Sequence, residues 1–253
     1  MSGLIAALRK EALEQIRTYR FLVIAVVLVA FGLLSPLLAK LTPELFQLIP
    51  GGEQIAGLIP EPTVLDAFSQ YIKNISQFAL LLAVLVTMGA VTQEKEKGTA
   101  AVMLVKPLPR WGFLLAKFLM ISFVFAASLA LAGLGAYYYT RLLFEPTSIG
   151  IWLWVNGLLL VYVLVYAAVT LLFSTFSRSQ VMAGGLSLAS LVLLGLLGSL
   201  PSLGKYLPGN LVSWASTLYL QPDRTAWPAL WVSLGIILAS LLGAWLVFRR
   251  QEL

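Results

Sequence analysis

The sequence predicts an all-α, polytopic membrane protein with six transmembrane helices and an amphipathic helix at its N-terminus. The chain has 253 residues, of which 60% are hydrophobic and only 11% are charged. Its mean hydropathy of +0.92 lies well outside the usage of soluble globular proteins. Six stretches reach the roughly 20 apolar residues that one membrane-spanning helix needs. No linker or soluble domain interrupts them, so residues 1–253 are predicted to form a single transmembrane domain.

Residues 3–19 have the pattern of an amphipathic helix. The positions predicted on its apolar side are Leu4, Ile5, Leu8, Ala12, Leu13, Ile16 and Tyr19. The positions predicted on its polar side are Lys10, Glu11, Glu14, Arg17 and Thr18. Such a helix typically lies in the headgroup plane of a bilayer, which makes it an interfacial helix. The alternative to an interfacial helix is an ordinary cytosolic segment that precedes the first span.

The six spans are predicted at residues 21–39, 74–92, 111–140, 151–176, 181–200 and 228–248. Lys117, in the first turns of span 3, is expected to extend its ammonium group to the membrane interface. Trp152 and Trp154, at the start of span 4, are expected to act as interfacial anchors. The segments 40–73 and 201–227 are rich in proline, and we expect them to stay outside the bilayer as outer segments of short helices and turns.

The basic residues predict the orientation of these spans. Of the 17 Lys and Arg residues, 12 lie on the side that carries both chain ends and the segment 93–110, and 5 lie on the other side. Because cytoplasmic loops carry an excess of Lys and Arg, both termini and the segment 93–110 are predicted to be cytoplasmic. The net charge of +6 therefore reflects membrane topology, and we expect no nucleic-acid partner.

Several kinds of chemistry are excluded by composition. The chain contains neither histidine nor cysteine, which removes the commonest metal ligands and general base, so no catalytic residue and no metal site are predicted. The central parts of the predicted spans carry no ionisable residue of the kind that ion-driven transporters use. A Walker loop is also missing. If this protein moves a substance uphill, the free energy must therefore enter from another polypeptide.

The segment 93–110, QEKEKGTAAVMLVKPLPR, is the most charge-dense run in the chain. Gly98 and Thr99 can cap a short helix, and Pro107 is expected to end it. Two acidic residues alternate with lysines before an apolar run at 101–105, which needs lipid headgroups or the groove of a partner to cover it. A solvated loop that simply obeys the positive-inside rule is the alternative.

The charges, the Gly-Thr pair, the apolar run and the Lys-Pro-Leu-Pro-Arg turn resemble the loop after the second span of permease subunits of the type-two ATP-binding-cassette (ABC-2) exporter family. The resemblance extends to the interfacial helix, the six spans and the two inner termini. It implies that this segment is a cytoplasmic coupling helix between spans 2 and 3. The ATPase-coupling residues that the resemblance implies are Glu94, Glu96, Lys97, Gly98, Thr99, Pro107 and Arg110.

The resemblance also implies partners. Two permease chains, identical or different, would form a pathway between them in the cell (plasma or inner) membrane. Two separate ATPase subunits would bind ATP and Mg, whereas this chain would bind no cofactor itself.

Polar residues inside the spans are candidates for lining that pathway. They are Asn74, Gln77, Thr87 and Asn156. Hydrogen bonding between helices explains them equally well. A non-transporting membrane anchor or assembly factor that recruits a cytosolic partner is the alternative function. A passive channel is disfavoured because no span carries a charged ring.

Overall fold

The structure is a computed structural model, and it describes residues 2–48, 60–96, 98 and 109–251. These residues form an all-helical fold without strands, and six of the helices are long and apolar enough to cross a membrane. The helices are α1 (Ser2–Arg17), α2 (Arg20–Gln47), α3 (Val64–Thr87), α4 (Thr92–Glu96), α5 (Arg110–Leu143), α6 (Ile149–Phe176), α7 (Gln180–Gly198), α8 (Pro201–Gly204), α9 (Gly209–Thr217) and α10 (Trp227–Arg249).

Helices α3, α5 and α6 form the centre of the bundle. Half or more of the apolar window of each is buried, against 17% for α7 and for α10. Their inward faces meet through large side chains such as Tyr71, Phe125 and Leu159. The exposed sides of α7 and α10 are apolar, as expected for helices whose surroundings are lipid tails or another membrane helix.

Helix α2 packs most extensively on α5, and a glycine makes this possible. A Cβ atom added at Gly32 would lie 2.5 Å from the backbone oxygen of Ala132. No side chain larger than hydrogen fits there without moving one backbone away from the other. The close approach of these two spans therefore depends on a small residue at the contact, as is common in membrane helix pairs.

The outer segment 40–73 is more helical than the sequence predicts. Helix α2 continues through Pro36 and Pro43 to Gln47, although span 1 was predicted to end at residue 39. Helix α3 begins at Val64 instead of residue 74. Its start is marked by Asp66, whose Oδ2 accepts hydrogen bonds from both the backbone N–H (2.7 Å) and the hydroxyl (2.8 Å) of Thr63. A proline removes one hydrogen bond without ending a membrane helix, so proline content overestimated the length of this loop.

Tyr19 separates α1 from α2. Its backbone has φ 56° and ψ 11°, a left-handed conformation that is uncommon for a bulky residue. An ion pair crosses the turn, because Arg20 Nη1 lies 3.6 Å from Glu14 Oε1. The turn lets α1 fold back beside α5 instead of extending α2.

The helical bundle has two ends. We call the end where the first and last described segments meet the terminal end, and the opposite end the distal end. At the terminal end, the first and last described segments meet the starts of α4 and α5 and the end of α6. At the distal end, Lys40 contacts the ring of Phe144, and α9 packs on α6 and α3. Both chain ends therefore lie on one side of the six spans.

The structure corrects the prediction for Trp152. This side chain is buried in the core, where its ring contacts Phe68 and Tyr71, and its indole N–H donates to Thr147 Oγ1. Trp154 is about half exposed and lies near the rings of two outer tryptophans, Trp214 and Trp227. The two tryptophans sit two positions apart on one helix, so they point to different sides of it.

Candidate functional site

The short helix α4 lies at the start of the segment 93–110. A side chain from another helix caps the N-terminus of α4. The chain turns at residues 88–91 after α3 and then forms α4. Ser174 Oγ, on α6, accepts hydrogen bonds from the backbone N–H groups of Val91 (3.0 Å) and Thr92 (3.2 Å). Helix N-termini have backbone donors without intrahelical partners, so this contact fixes the position of α4 against α6.

Two further side chains tie α4 to the ends of neighbouring spans. The Lys95 ammonium donates to the carbonyl oxygens of Thr175 (2.8 Å) and Ser177 (3.0 Å), where α6 ends. Gln93 donates to Gln180 at the start of α7 (2.8 Å) and accepts from Arg20 at the start of α2 (2.9 Å). A cation at a helix C-terminus is favourable because the last carbonyls carry partial negative charge.

A group of six charged side chains, each buried or half-buried, joins α1, α2, α4 and α5, and we call it the charge cluster. Its members are Lys10, Glu11, Glu14, Arg20, Glu94 and Lys117. Lys117 Nζ lies 2.6 Å from Glu94 Oε1 and 3.0 Å from Glu11 Oε1. Three positive and three negative groups leave the charge cluster formally neutral, which allows ionised side chains to be buried.

Lys10 occupies the place between the three carboxylates. Its ammonium lies 2.9 Å from Glu11, 2.8 Å from Glu14, and in direct contact with Glu94. The three carboxylates are close enough together to hold a metal ion. Because the Lys10 ammonium already bonds to all three, the arrangement is an ion-pair network.

The electrostatic balance of the charge cluster shifts two pKa values. Burial on its own would lower the pKa of Lys10, but Glu11, Glu14 and Glu94 outweigh burial and raise it. Burial on its own would raise the pKa of Glu14, but the hydrogen bond from Lys10 and the charges of Lys117 and Arg20 outweigh it and lower that pKa. Both groups are therefore held in their charged forms.

The predicted coupling residues fall into different environments. Glu94 is buried in the charge cluster, whereas Glu96, two residues later, is exposed. Gly98 has φ +66°, and its N–H donates to the carbonyl of Lys95, so it follows the end of α4 in a conformation that favours glycine. Lys97, Thr99 and Pro107 lie outside the described residues, and so does the predicted apolar helix.

Arg110 contacts the end of the last span. Its Nη1 donates to the carbonyls of Phe248 (2.9 Å), Arg249 (2.8 Å) and Gln251 (2.9 Å). The last carbonyls of a helix lack the full set of intrahelical donors, so a guanidinium can bond to them. Arg110 thus links the start of α5 to the C-terminal end of α10.

Lys117 is another correction. The prediction placed its ammonium at the membrane interface, but the side chain is only 2% exposed and is paired with Glu11 and Glu94. Sequence analysis also missed the contributions of Lys10, Glu11 and Ser174. The polar side of α1 was visible in the sequence as a stripe, but its partners lie far along the chain.

The exposed face of α1 is mainly apolar. Ile5, Leu13 and Ile16 are exposed, whereas Glu11 and Gln15 are buried against the bundle. The helix thus packs a polar side inward, which is the reverse of an amphipathic helix on a soluble protein. This arrangement is consistent with a helix whose outer face contacts lipid.

The predicted pathway-lining residues are dispersed. Asn74 Nδ2 donates to Ser35 Oγ on α2 (3.0 Å), and Asn156 Oδ1 accepts from the hydroxyl of Tyr71 on α3 (2.6 Å). Thr87 is buried, whereas Gln77 is exposed. The two asparagines make the helix-to-helix hydrogen bonds that were the alternative explanation.

A cavity of about 460 Å³ opens between α6, α7 and the two short distal helices. Tyr162 and Tyr166, with rings 5.1 Å apart, line it near the middle of α6. Gly195 lies opposite on α7, and Lys205 and Asn210 line the cavity from the outer segment. The cavity has a mixed polar and apolar lining and reaches from the distal end toward the middle of α6. Its tyrosines were the signal in the sequence that could have indicated it.

Two comparisons place the chain among known proteins. The sequence profile described as "ABC-2 family transporter protein" matches residues 5–253. The chain is also 28% identical over 260 residues to a protein of Bacillus subtilis (strain 168) with the name "Uncharacterized transmembrane protein YxlG", and the alignment covers 100% of this chain and 99% of that protein. The family profile spans nearly the whole chain, including α1, the charge cluster and all six spans. This protein therefore belongs to the ABC-2 family of transporter membrane proteins.

Proposed function

We propose that this protein is the permease subunit of an ATP-driven exporter and that the segment 93–110 couples it to separate ATPase subunits. The observation that carries the proposal is that α4, at the start of that segment, is bonded to α1, α5, α6 and α7. A force applied to the segment would reach several membrane helices at once. Family membership supplies the setting, because ABC transporter permeases work with ATPase partners.

Glu94 and Glu96 have separate roles in this proposal. Buried Glu94 holds α4 against α1 and α5 through Lys10 and Lys117. Glu96, which is exposed, would contact the partner ATPase. The terminal end faces the cytoplasm, where ATP is available, as the excess of basic residues on that side predicts.

The mechanism we propose is alternating access. Two permease chains enclose a pathway, and ATP binding closes two ATPase subunits, which bind ATP and Mg. Their closure displaces the coupling helices, and the charge cluster passes the movement to α1 and α5. The two chains then rock so that the space between them opens outward or collapses.

Co-purification of an ABC ATPase with this protein tests the proposal. We expect Glu96→Lys to weaken co-purification of the ATPase by about tenfold or more, because a reversed charge at a contact opposes binding. The control is Glu145→Lys, which makes the same change at an exposed residue of the distal end. Equal retention of the ATPase by both variants would contradict the coupling role.

A second measurement separates transport from simple anchoring. In proteoliposomes, the complex should hydrolyse ATP faster when the substrate class it exports is present. An ATPase that binds through the segment 93–110 but whose hydrolysis never depends on the permease would instead support a membrane anchor or assembly factor.

A further inference from the structure

A groove between the first turns of α5 and the last turns of α10 stands apart from the charge cluster and from the distal cavity. Its volume is about 350 Å³, and nearly all of its lining is apolar. Trp111 and Leu115 form the α5 wall, and Leu238, Leu242 and Trp245 form the α10 wall. From Leu238 to Trp245, α10 rises about 10 Å, enough to accommodate part of an acyl chain.

The terminal end of the groove is positively charged. The Arg249 guanidinium lies 5.8 Å from the centre of the Trp245 ring, which lines the groove. Arg249 and Arg250 are both exposed. Within the described part of the chain, no carboxylate lies at ion-pair distance from either arginine.

Arg110 fixes this geometry. It holds the C-terminal end of α10 through the carbonyls of Phe248, Arg249 and Gln251. The end of α10 that carries the two arginines is therefore kept beside the start of α5. Tryptophans are typical of the membrane–water interface, so Trp111 and Trp245 would put the nearby Arg249 guanidinium at the depth of lipid phosphates.

We infer that this groove binds an anionic phospholipid, with an acyl chain between the two tryptophans and the headgroup phosphate on Arg249 and Arg250. The apolar walls lie within membrane-spanning helices, where lipid tails are the surrounding medium. Basic pockets between spans favour anionic headgroups. A zwitterionic lipid presents a second, positive group that the two arginines repel, so a phosphate with net negative charge fits better.

Lipid retention by the purified full-length chain tests the inference without any ATPase. The probes are dioleoylphosphatidylglycerol and dioleoylphosphatidylcholine, and retention is measured by native mass spectrometry from detergent. We expect preferential retention of phosphatidylglycerol, and we expect Arg249→Gln/Arg250→Gln to weaken it by about fivefold for each charge removed. The control Arg178→Gln removes one exposed charge from the turn between α6 and α7 and should leave retention unchanged.

A second variant keeps the inference testable if the first variant misfolds. Leu242→Trp fills the groove, keeps both arginines, and changes an exposed residue, so it should fold and still lose the lipid. Equal retention of the two lipids, or no loss in either groove variant, would overturn the inference. A dimer that Leu242→Trp dissociates without changing phosphatidylglycerol retention would show that a second copy of the chain occupies the groove, which also overturns it.

Discussion

Buried charged side chains hold the terminal end of this protein together. Lys117 lies inside α5 with its ammonium between Glu11 and Glu94, which come from two other helices. Burying an ionised group is costly, and these two carboxylates offset the cost. The same bonds that stabilise the fold therefore connect α1 to the start of the segment 93–110.

Lys117→Met should destabilise the protein strongly. The change leaves Glu11 and Glu94 buried without their cation, and breaking a buried ion pair in this way costs about 3–5 kcal/mol. Unfolding of the purified chain in detergent measures the effect. Lys73→Met is the matched control, because Lys73 is an exposed lysine on α3 and its loss should change stability by less than about 0.5 kcal/mol. Equal effects of the two changes would contradict a stabilising role for the buried ion pairs.

The docking of α1 should depend on pH at both extremes. The pKa of Glu14 is lowered from 4.5, so its contribution is present above that pH and is lost as the pH falls through the folded-state pKa. The pKa of Lys10 is raised from 10.5, so its contribution is present below that pH and is lost as the pH rises through the folded-state pKa. The protection factors of the α1 amides, obtained from hydrogen exchange after division by the intrinsic rate at each pH, should therefore be highest between about pH 4.5 and 10.5 and lower beyond either limit.

The variant Glu14→Gln provides the control for the acidic limit. It removes the carboxylate, so the part of the acid-dependent loss that comes from this group should disappear. If Glu14→Gln keeps the full acid dependence of the unmodified chain, Glu14 is not responsible for it.

Helices in this bundle are positioned by a few contacts that are specific to each pair. Gly32 lets α2 approach α5, Ser174 caps α4 from α6, and Arg110 joins α5 to α10. None of these contacts adds much buried apolar surface. In a membrane, where lipid tails are as apolar as leucine, close packing and hydrogen bonds decide which helices associate.

Gly32→Ala tests the approach of α2 to α5. The new Cβ would lie 2.5 Å from a backbone oxygen that cannot rotate away, so we expect a loss of about 1–3 kcal/mol in stability. Gly235→Ala on α10 is the control, because a Cβ there meets no atom within 4 Å. The control should be neutral or stabilising by up to about 1 kcal/mol through helix propensity. Similar stability of both variants would argue against the tight contact.

The whole molecule is a bundle with two chemically different ends. The terminal end contains the charge cluster and most of the basic residues, whereas the distal end contains the outer helices and the cavity beside Tyr162. Such asymmetry fits the proposed function, in which ATPase subunits act on the terminal end and the substrate leaves at the distal end. The orientation of the two ends is therefore the property of the whole chain that most needs measurement.

Cysteine labelling measures that orientation directly, because the natural chain contains no cysteine. Arg178→Cys places a thiol at the terminal end, and Glu145→Cys places one at the distal end, both at exposed positions. A membrane-impermeant maleimide added to intact cells should label Glu145→Cys alone, and both variants after the membrane is opened. Labelling of Arg178→Cys in intact cells would reverse the proposed topology.

Much of the architecture could be read from local patterns. The six helices that are long and apolar enough to cross a membrane begin and end within a few residues of the stretches that hydropathy indicated, apart from the junctions of α2 and α3 with the outer segment 40–73. There, the prolines suggested a loop, and the capping pair Thr63 and Asp66 at the start of α3 was missed. The sequence also did not show that Glu94 is buried and Glu96 is exposed, since both are acidic residues in one charged run.

The local residue patterns of the sequence were enough to predict a membrane protein with six spans, its family resemblance and the unusual charge density of the segment 93–110. Folding was needed to show that Lys117 meets Glu11, 106 positions earlier, and that Arg110 meets the end of α10. The reason is physical. Transfer of a helix into lipid depends on the residues of that helix, whereas an ion pair between helices depends on how several of them pack against one another.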